Sequence, residues 1–131
     1  MRREYSAAEL RAKLTQLGYP AEGVASVLEG LRETGWQDDG RYAASVVRDR
    51  VGRGYGPLAI RQRLRLAEID EAGALAQADI DWQAALAAVY QKKYGDTHPA
   101  SREEYARRGR FLQGRGFAVE QIRDFLNHLQ Q

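Results

Sequence analysis

Leu112-Gln113-Gly114-Arg115-Gly116-Phe117-Ala118-Val119-Glu120-Gln121-Ile122-Arg123-Asp124-Phe125-Leu126 is the stretch on which the fold of this 131-residue chain turns. Gly116 accepts the left-handed backbone conformation that ends a helix. After it, Ile122, Phe125, Leu126 and Leu129 fall on one helical face. The pattern is therefore two amphipathic helices joined by a tight turn. The same slots are filled 98 residues earlier by Leu14, Gly18, Tyr19, Val24 and Leu28, in the places of Leu112, Gly116, Phe117, Ile122 and Leu126. They are filled again 50 residues after that first set, by Leu64, Glu68, Ile69, Ala74 and Ala78. Tyr42 and Val46 recur 40 residues later as Trp82 and Leu86, on the helix that leads each pair.

Working outward, nearly every segment reads as helix. Ser6 with Glu9 is a capping-box pattern ahead of Leu10, Leu14 and Leu17. Pro20 suits the first turn of a second helix carrying Val24, Val27, Leu28 and Leu31, which stops at Gly35. Asp38 or Asp39 caps a third, with Tyr42, Ala43, Val46 and Val47 inward, and Pro57 opens a fourth with Ile60, Leu64 and Ala67 inward. A short fifth covers Glu71 to Ala78, and Asp79 or Asp81 caps a sixth carrying Trp82, Leu86, Val89 and Tyr90. Ser101 with Glu104 opens the seventh, and the last carries the face described above. No segment has the period-two alternation of a strand. Tyr19, Tyr42, Trp82, Phe117 and Phe125 fall on apolar slots and are expected in the core, whereas Tyr55 lies off any stripe and is a contact candidate. The fold class is all-α: tandem three-helix repeats over 38–78 and 79–131, preceded by an incomplete first repeat over 1–37 that lacks its leading helix. Units that cannot bury an apolar face alone stack on their neighbours, so the expected shape is an elongated array.

Composition narrows the function. The chain has no cysteine, which removes disulfides, thiol catalysis and cysteine metal sites, and only two histidines, His98 and His128. The longest run without charge is the ten residues from Trp82 to Gln91, against about 20 apolar residues for a membrane span. The charged N-terminus has no apolar segment behind it, so it does not read as a signal peptide. Phosphate-loop, Gly-x-Ser-x-Gly and His-Glu-x-x-His patterns are absent, and no catalytic residue, metal ligand or cofactor is assigned. Asp38-Asp39 and the acids from Glu68 to Asp81 are read as turn and cap residues.

The net charge of +2 hides a pattern. Six arginines against Asp49 alone lie between Arg48 and Arg65, and five against Glu103 and Glu104 lie between Arg102 and Arg115. Seventeen of the 20 basic residues are arginine, whose planar fork suits phosphates and carboxylates. The candidate binding patch is Arg48, Arg50, Arg53, Tyr55, Arg61, Arg63, Arg65, Arg102, Arg107, Arg108, Arg110 and Arg115. The patch reads either as a surface for a polyanion or acidic protein, or as the solvated faces of an arginine-rich helical protein. At helical spacing Arg61 and Arg65 share a flank of their helix, with Arg63 on the other. Gly52-Arg53-Gly54-Tyr55-Gly56-Pro57 follows a helix rather than a strand, so it reads as a flexible joint and not as a nucleotide loop.

Four ordered motifs carry a resemblance: Arg2-Arg3-Glu4-Tyr5-Ser6 with Glu9-Leu10 and Lys13-Leu14; Asp38-Asp39 with Arg41-Tyr42-Ala43; Gly56-Pro57 with Ile60-Arg61-Gln62 and Leu64; and Arg110-Phe111-Leu112 with Arg115-Gly116-Phe117 and Ile122. Together they cover nearly the whole chain, which resembles the RecX family of recombinase regulators. The resemblance implies a curved all-helical array of three-helix repeats. It implies a non-catalytic regulator that binds the RecA–DNA filament and inhibits RecA's ATPase, strand-exchange and coprotease activities, modulating DNA repair, recombination and the SOS response. The partners implied are RecA and, through the basic patches, single- or double-stranded DNA. The protein is expected to be a cytoplasmic monomer with no membrane contact and no cofactor. The alternative is a direct, largely sequence-independent DNA-binding protein of helix-turn-helix type. Two departures stand out: family members usually have another helix before Arg2, and the turn slot of Gly18 and Gly116 is Glu68 in the middle unit, where a non-glycine residue is expected to force another turn geometry.

Overall fold

A computed structural model describes residues 3–129; Arg2 of the first motif lies outside them. Eight helices follow in order: α1 Ala7–Gln16, α2 Ala21–Glu33, α3 Asp39–Gly52, α4 Pro57–Leu66, α5 Glu71–Ala78, α6 Trp82–Tyr94, α7 Arg102–Gly114 and α8 Val119–His128. No strand occurs among the described residues.

Local chemistry sets the ends. The Ser6 hydroxyl accepts from Glu9 N while the Glu9 carboxylate accepts from Ser6 N, closing the expected box, and Ser6 is fully buried. Of the paired aspartates, Asp38 caps α3 by accepting from Arg41 N at 2.9 Å. Asp39 instead accepts from Ala7 N at 2.9 Å and from Gln37 Nε2 at 2.7 Å, tying α1 to α3. Asp81, not Asp79, caps α6. At α7 the Ser101 hydroxyl caps Glu104 N, but the Glu104 carboxylate reaches Ala100 N, one residue before the cap.

The three turn slots share one geometry. Gly18, Glu68 and Gly116 have φ of 96°, 57° and 100°. In each, the slot residue donates to the carbonyl three back (Thr15, Arg65, Gln113), and the next residue donates to the carbonyl five back (Leu14, Leu64, Leu112). The expectation of a different middle turn is therefore overturned: two satisfied helix-end carbonyls outweigh the roughly 1–2 kcal/mol that a side chain costs in this conformation.

Two cores form. Ala43, Val47, Ile60, Leu64 and Leu75 unite α3, α4 and α5, and Leu86, Tyr90, Leu112, Phe117, Ile122 and Leu126 unite α6, α7 and α8. The α1–α2 pair buries only Val24 and Leu28 among its apolar side chains, and α1 itself has no buried residue. Tyr19, expected in the core, is 57% exposed, whereas Phe117 in the same slot is fully buried. The difference is the third helix: α6 packs over the α7–α8 pair, and among the described residues no leading helix covers α1–α2. The accessible surface is 8983 Å², against about 7,000 Å² for a compact monomer of 14.8 kDa, as an open array requires.

Candidate functional site: the junction of the two complete helix trios

The two basic stretches, far apart in sequence, meet where the Gly52–Pro57 segment lies against the α7–α8 turn. Gly56 N donates to Arg115 O at 2.7 Å and Leu58 N to Gly116 O at 2.9 Å. The backbones touch: a Cβ on Gly56 would stand 2.7 Å from Gly116 C and 2.8 Å from Phe117 Cγ. A Cβ on Gly116 would stand 2.5 Å from that of Ala59. The segment is thus a docking contact and not the flexible joint expected of a glycine run, because its partner lies some sixty residues on, invisible to a local reading.

Arg115 is built into this contact. Its Nη1 donates to Arg53 O at 3.2 Å, and its guanidinium lies 5.2 Å from the Tyr55 ring centre and 5.5 Å from that of Phe111. Arg50 sits 5.6 Å from the Tyr55 ring. Tyr55 is therefore a half-buried ring flanked by two arginines and packed against the α3–α5 core, not a free contact residue.

The remaining patch members divide by what holds their heads. Arg108 is turned inward: it donates to Tyr90 Oη at 2.7 Å and to Thr97 O and Oγ1 at 3.1 Å each, and stacks 4.5 Å from the Tyr94 ring centre. Arg63 pairs with Glu9 at 3.5 Å across the α1–α4 contact. Arg53 pairs with Asp49 at 3.2 Å, and Arg50 approaches the same carboxylate at 3.9 Å. Arg65 is exposed but paired with Glu71 at 2.5 Å, so the expected free Arg61–Arg65 couple reduces to Arg61. The Arg65 hydrogen bond and charge lower the Glu71 carboxyl pKa, and Glu71 raises that of Arg65. Arg48, Arg61, Arg102, Arg107 and Arg110 are exposed and make no ion pair among the described residues.

A groove of about 410 Å³ opens beside the junction, between the end of α3 and the exposed flank of α6 and α7. Its rim carries Arg53, Lys92, Lys93 and Arg115, and no carboxylate lines it. Lys92 and Lys93 belong to an otherwise acidic part of the sequence and were not among the candidates. Their place at the C-terminal end of α6 reads locally as dipole complement, and only the tertiary fold brings them beside Arg53 and Arg115. A second hollow, of about 510 Å³, lies over the small residues of α3 and α5 and is bordered by Asp39, Glu68 and Asp70, with no cation. Among the described residues no group of three or more His, Asp or Glu is placed to hold a metal ion, and no helix is long and apolar enough to cross a membrane.

This architecture has counterparts. Residues 38–73 match the family model described as RecX, second three-helix domain, and residues 79–126 the one described as RecX, third three-helix domain. A regulatory protein RecX of Acidithiobacillus ferrooxidans is 48% identical over 125 residues, covering 95% of this chain and 81% of the relative. The chain belongs to the RecX family. RecX proteins of Halorhodospira halophila and Vibrio vulnificus are 44% and 40% identical, over 93% of this chain in each case and 78% and 82% of their own lengths. A crystal structure of regulatory protein RecX superposes with a TM-score of 0.75 at 26% identity. The match covers 96% of this chain and 64% of that one, so the chain spans a little under two thirds of the solved RecX.

Proposed function

We propose that this chain is a non-catalytic regulator that binds the RecA–DNA filament and restrains RecA's ATP hydrolysis, strand exchange and coprotease activity. The observation that carries the reading is the 48% identity to a regulatory protein RecX across 95% of the chain. The surface agrees with it. Of the candidate patch, Arg48 and Arg61 on α3 and α4 and Arg102, Arg107 and Arg110 on α7 are exposed with no ion pair among the described residues. Such groups meet phosphates or acidic protein surfaces at long range and steer association. The repeats, taken as 1–37, 38–78 and 79–131, would let one monomer in the cytoplasm contact more than one point along the filament. Sequence-specific DNA reading has less support, since α2 carries Arg32 against Glu22, Glu29 and Glu33 and α5 carries no base.

The test is binding to RecA filaments assembled on tethered single-stranded DNA, beside the same DNA bare. Binding to the filament at concentrations that leave bare DNA unoccupied, weakened at least tenfold by Arg48→Glu with Arg61→Glu, supports the proposal. Equal binding to both, falling steeply with salt as phosphate contacts do, would replace it with the DNA-binding alternative.

A further inference from the structure

We infer that the groove beside the junction is a docking site for an acidic protein segment with an apolar anchor, an inference that rests on the reading of this chain as a partner-binding regulator. The floor is a helical stripe: Ala85, Ala88 and Val89 at i, i+3 and i+4 of α6, continued by Lys92 at i+7 and met by Val51 from α3. Ala88 is exposed, so the stripe is open to a ligand. No carboxylate lines the groove. Of its rim cations Arg53 is paired with Asp49 at 3.2 Å and Arg115 is held at the junction, whereas Lys92 and Lys93 make no ion pair among the described residues. Positive rim and aliphatic floor together complement a segment that presents carboxylates around a leucine-like side chain, the groove-and-helix mode of peptide recognition.

Single-stranded nucleic acid is the other polyanion to weigh, and the groove suits it less. Bases bind such proteins by stacking on open aromatic faces. The ring at the groove, Phe111, has Lys93 4.8 Å and Arg115 5.5 Å from its centre, and the Tyr94 ring is packed edge-on at 5.9 Å. The nearby Tyr55 is flanked by Arg50 and Arg115. A floor of methyl groups offers nothing to a phosphate or a base edge, and no Asn or Gln lines the groove to read one.

The probe is a fluorescein-labelled 14-residue peptide of glutamates with leucine at i and i+4, compared with an all-glutamate peptide of equal length and with oligo-dT of 14 nucleotides. Two variants of the full chain separate floor from rim: Ala88→Gln fills the stripe without changing charge, and Lys92→Glu with Lys93→Glu reverses the rim. The leucine peptide should bind at least tenfold tighter than all-glutamate. Either variant should weaken it at least tenfold, while Ala88→Gln leaves oligo-dT binding within twofold. The inference is overturned if the leucine peptide shows no preference over all-glutamate, if Ala88→Gln leaves its binding unchanged, or if oligo-dT alone responds to both variants. The same variants in the filament assay keep the two readings apart. If wild-type protein does not bind the filament, the regulator reading fails while the peptide result still judges the groove; if wild-type and both variants bind it alike, the groove inference fails alone.

Discussion

Substituting Gly56 by alanine tests whether the Gly52–Pro57 segment is a docking contact. Gly56 has φ −92° and ψ 177°, a conformation any residue adopts, so alanine brings no backbone strain. Its Cβ would meet Gly116 C and O at 2.7 Å and Phe117 Cγ at 2.8 Å. Two of the three are backbone atoms, which cannot rotate away. Overpacking costs about 1–3 kcal/mol. If the backbones part, the bonds from Gly56 N and Leu58 N go too, at about 0.5–1.5 kcal/mol each. The stiffer unfolded chain returns about 0.4–1 kcal/mol, leaving a net loss of about 0–2.6 kcal/mol if the backbones hold and about 1–5.6 kcal/mol if they part. Gly52, four residues earlier, is the control: nothing lies within 4 Å of its Cβ position, and alanine there should stabilise by about 0.4–1 kcal/mol. Urea denaturation read by circular dichroism, with the slope checked for loss of cooperativity, measures both. Gly56→Ala as stable as Gly52→Ala would mean that the segment is the loose joint its composition advertises.

Three further outcomes are expected. Glu68→Gly should stabilise by about 0.5–1 kcal/mol by relieving a non-glycine residue at φ 57°, and a loss in urea midpoint would contradict the shared turn geometry. Arg108→Ala should cost about 1.5–3 kcal/mol because it strips charge-assisted bonds from Tyr90 and Thr97, while Arg107→Ala stays within about 0.5 kcal/mol; equal costs in thermal melts would refute the division between tied and free arginines. Tyr42 is 2% exposed, and its hydroxyl has no hydrogen bond of good geometry although Glu9 and Arg63 stand beside it. Burial first, then the Glu9 charge, raises its pKa, so the stability it contributes is whole below the ordinary tyrosine value near 10 and is lost as pH rises through the folded value. Wild-type protein should therefore weaken relative to Tyr42→Phe between pH 8 and pH 10.5 in paired urea titrations, and a gap independent of pH would count against that burial.

What was legible in the sequence was local. Ser6 with Glu9, Asp38 before Arg41, Pro57 and Gly116 each act within a turn of themselves, so the helix ends could be placed from the chain alone. What a third element decides was not legible. Tyr19 and Phe117 occupy one slot of one repeat, yet α6 covers only the second. Glu68 breaks a rule of conformational preference because the hydrogen bonds to Leu64 O and Arg65 O repay it. The arginines could be listed but not sorted: nothing near Arg108 in sequence announces the Tyr90 hydroxyl, and nothing near Lys92 announces Arg53. A carboxylate six residues on, Glu71, was the one visible sign that Arg65 would be occupied.

The central claim is that this chain regulates RecA by acting on its filament, and ATP turnover by RecA on single-stranded DNA, as the protein is titrated in, tests it most directly. Turnover should fall at concentrations well below that of RecA, while a parallel binding control shows the bare DNA still free. Turnover that stays constant up to equimolar protein, or falls only where the protein coats bare DNA, would contradict it.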